Sequence, residues 1–362
     1  MMEEALISFE AELDRLNRFL EASDAEDVLM THILGLPDAQ RASLATPLEP
    51  IQANSTIKRR QSYMSAIIVL YGALERYIEE AVAEYTAQLV LIHKEFKQLP
   101  ERLRSQHTHL TIDYLASLRD GRVRETEDVA SVVATLHDCL AGKAPFKLNA
   151  RAFSLRSSNI KFSRVRDIMG NLDIQINGRR VLMTPSYARF LHDIAGISAE
   201  DMQDSEVDST LDHIDELVSL RNDIAHGVAN LESIEDSNIV RERALKLRAF
   251  VSAINDIFTC EILTYRIDLG QLVAIEGEVR VFGDHIAGFP WPEGRIAPGD
   301  ILAMRPAKKG SDLRHGAIAS IQIDGVDWQE VTGSDGLMIG VKVPFKVKDN
   351  GRFYFLNLRP IE

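Results

Sequence analysis

Leu217-Val218-Ser219-Leu220-Arg221-Asn222-Asp223-Ile224-Ala225-His226-Gly227 is the stretch on which the reading of this 362-residue chain turns. Leu217 and Val218, with Leu211 and Ile214 before them, recur at the three- and four-residue spacings that line one face of a helix. Gly227 follows as the residue that most readily takes the left-handed conformation ending a helix. Arg221 and His226 therefore fall in about the last turn. Asn222 and His226, four apart, share a face, and Arg221 projects about 100° away from Asn222, so a phosphate is within reach of all three. Asp223 reads as a solvated carboxylate, and orienting a partner's Arg or His is the other reading.

Two readings of the segment stand on these residues alone. Arg and His near a helix C-terminus complement the macrodipole and bond the last free carbonyls, a common stabilisation. The alternative is a reactive cluster, and the surrounding sequence bears on the choice.

Outward from this segment, helical periodicity extends in both directions. Leu6, Phe9, Leu13, Leu16 and Leu20 form an apolar seam on a short N-terminal helix. Residues 31–54 hold Gly35, Pro37, Pro47 and Pro50 and read as a connector. From Ser55, Ile67, Tyr71, Leu74, Ile78, Ala81, Tyr85, Leu89 and Ile92 mark one face of a long helix expected to run until Pro100. Further helices are predicted at about 101–119, 126–141, 162–171, 185–195, 209–226 and 236–266, with Thr184-Pro185 as a helix start. After Asp268 the period shifts to two, in runs at 272–282, 301–304, 317–323, 337–343 and 353–358 separated by Gly, Pro and Asp. The predicted organisation is an N-terminal helix and Pro-containing connector (1–54), an α-helical domain (55–267) and a small β-barrel or sandwich (268–362), a multidomain chain with α before β.

Composition excludes several classes. A hydrophobic content of 45% with 26% charged residues is that of ordinary globular proteins. The net charge of −13 disfavours indiscriminate nucleic-acid binding, so any RNA contact must be local. Cys139 and Cys260 stand far apart and imply neither a disulfide framework nor a thiolate zinc site; both are expected in the core. His93, His107, His109, His137, His192 and His213 lack a metal-ligand rhythm, so no metal and no cofactor is predicted. Neither a Gly-x4-Gly-Lys-Ser/Thr loop nor a dinucleotide glycine fingerprint is present. The chain opens Met-Met-Glu-Glu with no basic patch before an apolar run, and no stretch approaches about 20 apolar residues, so a cytoplasmic protein with no membrane association is expected.

Arg221-Asn222-x3-His226 resembles the Arg-x4-x6-His motif of the HEPN superfamily, in which Asn commonly follows the Arg. Ile68-Val69-Leu70-Tyr71-Gly72-Ala73-Leu74-Glu75-Arg76-Tyr77-Ile78 looks like the first core helix of the RiboL-PSP-HEPN branch, and Ser157-Ser158-Asn159-Ile160-Lys161-Phe162 is similar to a middle piece of it. The likeness covers roughly residues 55 to 265. It implies two helical bundles that form a homodimer, both motifs lining a shared cleft that cuts RNA without metal.

That chemistry can be rebuilt from the residues. RNA supplies its own nucleophile, the 2'-hydroxyl, leaving a proton to remove, a proton to give to the departing 5'-oxygen and a charged phosphorane to stabilise. Imidazole suits the proton transfers, so His226 is the candidate base or acid. Arg221 is the candidate anion clamp, an oxyanion donor of this kind contributing on the order of 3 kcal/mol. Asn222 orients the imidazole or ribose, or caps the helix end; the two readings carry equal weight. Glu75 matches a recurrent acidic position of the family's first helix and either positions Arg221 or His226 or forms a structural ion pair. Arg151, Arg156, Lys161, Arg164 and Arg166, with Arg179 and Arg180, make the middle of the chain basic, as an RNA-phosphate surface or as solvated faces.

In the C-terminal part, Gly277-Glu278-Val279, Gly294-Arg295-Ile296-Ala297-Pro298-Gly299-Asp300-Ile301-Leu302, Ser320-Ile321 and Ile339-Gly340-Val341-Lys342-Val343 resemble the second-domain β-barrel of translation GTPases, over about 270–362. That resemblance implies selection of tRNA or another translation-linked target, against a protein-binding or merely stabilising barrel. No GTPase domain accompanies it. The expectation is a HEPN endoribonuclease of toxin-antitoxin or phage-defence type, with a neutralising or sensing protein partner. The rival is a catalytically inactive HEPN dimer serving as an RNA or nucleotide sensor, or as a protein adaptor.

Overall fold

The computed structural model describes residues 2–41, 45–119, 128–154, 159–227, 234–291, 294–308, 312–333 and 336–356. The chain divides into two compact units, Met1–Asn255 and Asp256–Glu362.

The first unit is helical. Its spine is α4 (Ser55–Ile92), preceded by α1 (Glu4–Leu34), α2 (Asp38–Arg41) and α3 (Ala45–Ala53). All eight residues assigned to the buried face of α4 are buried. The helix ends at Ile92 rather than at Pro100, because His93 turns to extended backbone. A 3-10 turn, Phe96–Gln98, follows, with Gln98 Oε1 accepting from the Lys94 and Glu95 amides. Pro100 instead lies just before α5 (Glu101–Arg119), where a missing N–H costs nothing.

α1 is longer than the predicted seam, yet only its first part is covered: Ala5, Phe9, Leu13, Leu16 and Leu20 are buried. It packs on α4 within the same chain. Phe9 meets Tyr77 edge to face, and the Glu84 carboxylate accepts from the Glu3 and Ala5 amides at 2.7 and 3.1 Å. The proline-containing stretch is not extended but carries α2 and α3. Pro47 is the third residue of α3, where an amide has no intrahelical acceptor, so only Pro50 removes a bond.

α6 (Val129–Leu140), α7 (Ala150–Ser154), α8 (Phe162–Asn171), α9 (Gly178–Leu182), α10 (Pro185–Phe190), α11 (Asp204–Ala225) and α12 (Ser237–Asp268) follow, with a π-turn at Leu191–Ala195. Thr184 caps α10, its hydroxyl accepting from Tyr187 N–H. Between α5 and α7 lies a fully buried imidazole: His107 Nε2 accepts from the Asn149 amide at 3.0 Å, and its ring stacks on Phe153. Both cysteines are buried, as expected, their thiols hydrogen-bonded to the Lys147 and Leu313 carbonyls.

The second unit takes in the end of α12 and eleven strands. β1 (Val273–Ala274), β11 (Arg352–Leu356), β5 (Ile301–Arg305) and β6 (Arg314–Ala317) form one sheet in that order. β2 (Arg280–Phe282), β3 (Ile286–Trp291), β10 (Leu337–Lys342), β7 (Ser320–Ile323) and β8 (Val326–Trp328) form a second, and β4 (Gly294–Ile296) pairs with β9 (Val331–Gly333). The sheets are open, so of the expected barrel or sandwich it is the barrel that is corrected: among the described residues no ladder joins the edges β1 and β6 to β2 and β8. What unites them is a shared apolar core, Leu302, Met304, Phe353 and Phe355 of the first meeting Ala287, Phe289, Trp291, Ile321, Ile339 and Val341 of the second. Trp291 and Phe355 stand edge to face at 4.9 Å. β3 escapes the period-two reading because Gly288 and Pro290 sit on one face of it. Gly288 leaves room for the Phe282 ring, which would lie 2.8 Å from an added Cβ.

No helix among the described residues is long and apolar enough to cross a membrane.

Burial pushes the His107 imidazole down from 6.5 to about 4. The folded state therefore holds it neutral while the unfolded chain protonates it below 6.5. Its stabilising contribution is complete above that pH and is lost as pH falls from 6.5 toward 4, by up to about 3 kcal/mol. Urea unfolding at pH 7 and pH 4.5 should show this loss for the native chain and a smaller loss for His107→Phe; equal losses would show that the slope comes from elsewhere.

Candidate functional site

Three elements meet at Tyr71. α4 supplies Tyr71 and Glu75, one turn apart on its inner side; α11 supplies Arg221 and Asn222; the chain entering α8 supplies Ile160. α11 is fixed by burial of Leu211, Ile214, Leu217, Val218 and Ile224 and packs on α4, α8 and α9. Arg243 of α12 takes Glu216 of α11 at 3.1 Å and Glu235 through two bonds of 2.8 and 2.6 Å, which secures α11 from its other side. Asp215 of α11 accepts the Phe162 amide at 2.9 Å. It thereby caps α8, whose own N-cap residue, Lys161, makes no capping bond.

Arg221 lies over the Tyr71 ring, its guanidinium carbon 4.9 Å from the ring centre. One guanidinium nitrogen donates to Asn222 Oδ1 at 3.0 Å. Tyr71 Oη accepts from the Ile160 amide at 3.2 Å, just after Asn159 at φ 39°. Glu75 is half-buried beside the Tyr71 hydroxyl; burial, then the charge of Glu79, raises its pKa, against the opposing pull of Arg221 and that hydroxyl. Burial also raises the Tyr71 phenol. Among the described residues no carboxylate lies within ion-pair distance of Arg221. Its partners are neutral, and its charge and most of its N–H groups stay open toward an anion.

His226 is the C-cap of α11, its amide bonded to Asn222 O at 2.9 Å, and its ring is exposed. Gly227 follows in the left-handed region at φ 70°, the stop that the sequence pattern demands. Among the described residues the ring makes no hydrogen bond to Arg221 or Asn222. The structure thus brings Arg221, Asn222 and Glu75 together and places the imidazole one turn further on. Asp223 is exposed.

Tyr71 was legible only as a core aromatic, and Asp215 carried no signal beyond its place on α11. The i, i+4 spacing of Tyr71 and Glu75 is the clue that could have marked the phenol, since it sets a hydroxyl beside a carboxylate.

A family model described as RiboL-PSP-HEPN matches residues 43–259, more than half of the chain. The chain belongs to the RiboL-PSP-HEPN family. HEPN domains are generally ribonucleases or nucleotide-binding modules, and they often dimerise. No curated protein matches the chain.

Within this HEPN domain the basic residues part into two groups. From Cys139 to Arg166 the sequence has no Asp or Glu. Arg151 on α7, and Lys161 and Arg166 at α8, are exposed; Arg164 is half-buried; Arg156 lies outside the described residues. Arg179 donates to Ala199 O, Met202 O and Asp204, and Arg180 to Gln175 O. Among the described residues no three His, Cys, Asp or Glu side chains are grouped to hold a metal ion.

Asp215→Ala should lower stability by about 1 kcal/mol, the usual cost of losing a helix cap. Thermal unfolding checks this, and a midpoint unchanged from the native chain would remove Asp215 from its capping role.

Proposed function

We propose that this protein is a metal-independent endoribonuclease that cuts RNA by attack of the 2'-hydroxyl on the adjacent phosphodiester. The observation that carries the reading is a guanidinium held between a phenol ring and an amide oxygen, with no carboxylate in contact among the described residues, one helical turn from an exposed imidazole.

In the proposed reaction a base takes the proton of the 2'-hydroxyl, O2' forms a bond to phosphorus and the bond from phosphorus to O5' breaks. An acid returns a proton to O5', leaving a 2',3'-cyclic phosphate and a 5'-hydroxyl. His226 serves as base or acid. Arg221 meets the equatorial phosphate oxygens as charge builds on them. Asn222 orients Arg221 through Oδ1 and leaves its NH2 group for ribose or imidazole. Glu75, too far for an ion pair, steadies the cation at a distance.

One chain offers a single imidazole for two proton transfers. A second copy would supply the other, and the exposure of the His226 ring, which makes no hydrogen bond among the described residues, supports a homodimer with a shared cleft. Arg151, Lys161, Arg164 and Arg166 are assigned to RNA phosphates flanking the cut, with Arg156 beside them in sequence. The finer proposal is a toxin-antitoxin or phage-defence nuclease acting on tRNA or other translation-linked RNA, held in check by a protein partner.

A second reading, a catalytically silent HEPN dimer that senses RNA or nucleotides, draws on the lack of any hydrogen bond to the His226 ring among the described residues. The two part in one experiment. Arg221→Ala and His226→Ala should each reduce cleavage of total cellular RNA by about a hundredfold to a thousandfold, a range typical of lost oxyanion donors, while leaving unfolding and oligomeric state as in the native chain. Cleavage persisting in both variants rejects the site, and binding without cleavage by the native chain favours the sensor.

Excess EDTA should leave the cleavage rate within about twofold, since only side chains are assigned to the chemistry. A loss reversed by Mg2+ would point to a different mechanism.

A further inference from the structure

We propose that Tyr71 is a positioning residue for Arg221, an inference that rests on reading Arg221 as the phosphate clamp. A cation that must bind an anion in the transition state has to be held without being neutralised. A carboxylate in contact would fix the guanidinium and also compete with phosphate for it. An aliphatic neighbour would leave the long side chain free to sample its rotamers. The face of an aromatic ring avoids both faults: it attracts the cation through its quadrupole and occupies none of the N–H donors.

Tyr71 meets each requirement. Its ring lies 4.9 Å under the Arg221 guanidinium carbon. The ring is itself immobilised, because Tyr71 is only 3% exposed. Its hydroxyl is held by the Ile160 amide, from which it accepts at 3.2 Å, and lies beside the Glu75 carboxylate. Asn222 completes the clamp, its Oδ1 engaging one guanidinium nitrogen and so setting the plane in which the fork lies. Phenylalanine would fill the same space, so the hydroxyl is not needed for packing. Its bond to Ile160 joins α4 to the turn that carries Lys161, one residue along, and thus sets the basic segment beside the clamp.

The experiment compares Tyr71→Phe, which keeps the ring, with Tyr71→Leu, which removes it, each in the native and Arg221→Ala backgrounds. Tyr71→Leu should lower kcat about tenfold with KM nearly unchanged, and Tyr71→Phe should stay within about threefold of the native chain. In the Arg221→Ala background Tyr71→Leu should cost nothing further, because the group it positions is gone. The Arg221 Nε–H signal in a 15N spectrum, identified by its loss in Arg221→Ala, provides a readout that needs no substrate. It should carry a ring-current shift in the native chain and in Tyr71→Phe, and lose it in Tyr71→Leu.

A folded Tyr71→Leu with native kcat, an equal cost in both backgrounds, or an Arg221 signal that does not move would each overturn the inference. Full cleavage by Arg221→Ala, or none by the native chain, sinks the nuclease reading instead; the Nε–H signal then still decides whether Tyr71 holds Arg221.

Discussion

A positive charge kept whole at the edge of a protein needs something to lean on that does not cancel it, and here that support is the phenol ring of Tyr71 beneath Arg221. The arrangement requires α4 and α11 to present these two side chains to one another, and most of the first unit serves that end. Fifteen buried residues hold α4 in place. The Arg243 network and the Asp215 cap hold α11 against its neighbours. Loss of registry between the two helices by a single turn, about 5.4 Å, would part the cation from its ring.

Charge is distributed to the same effect. The chain is acidic overall, yet the run from Cys139 to Arg166 is free of carboxylates and leads through Ile160 to the Tyr71 hydroxyl. On a chain of net charge −13, an anionic polymer would meet its favourable contacts in one place, as the proposed RNA cleavage requires.

The parts of the fold that were legible in the sequence are those governed by periodicity. The α4 face, the α11 face and the bounds of α5 and α8 follow from apolar spacing, and the left-handed stop at Gly227 follows from its chemistry. What escaped depends on partners distant in sequence. The end of α4 is set at His93, which turns to extended backbone, not by the proline that looked decisive. β3 hides because its outward positions are Gly288 and Pro290 rather than polar residues. Barrel and sandwich stood as alternatives for the C-terminal part because strand pattern carries no information on whether edges meet. At the site, Arg221, Asn222 and His226 were visible as a motif and Glu75 by resemblance. The role of Tyr71 was hidden because an aromatic at helical spacing reads as core, and it is indeed buried.

The Glu84 carboxylate at the head of α1 has a consequence of its own. It gathers the Glu3 and Ala5 amides from α4, so α1 cannot slide without breaking charged bonds. Beyond Leu20 the same helix has Val28 and Leu29 more than half exposed, while Asp24 and Glu26 reach back to Arg241 and Lys58. A displacement of α1 is therefore passed, through Glu84 and Lys58, to the helix that bears Tyr71 and Glu75.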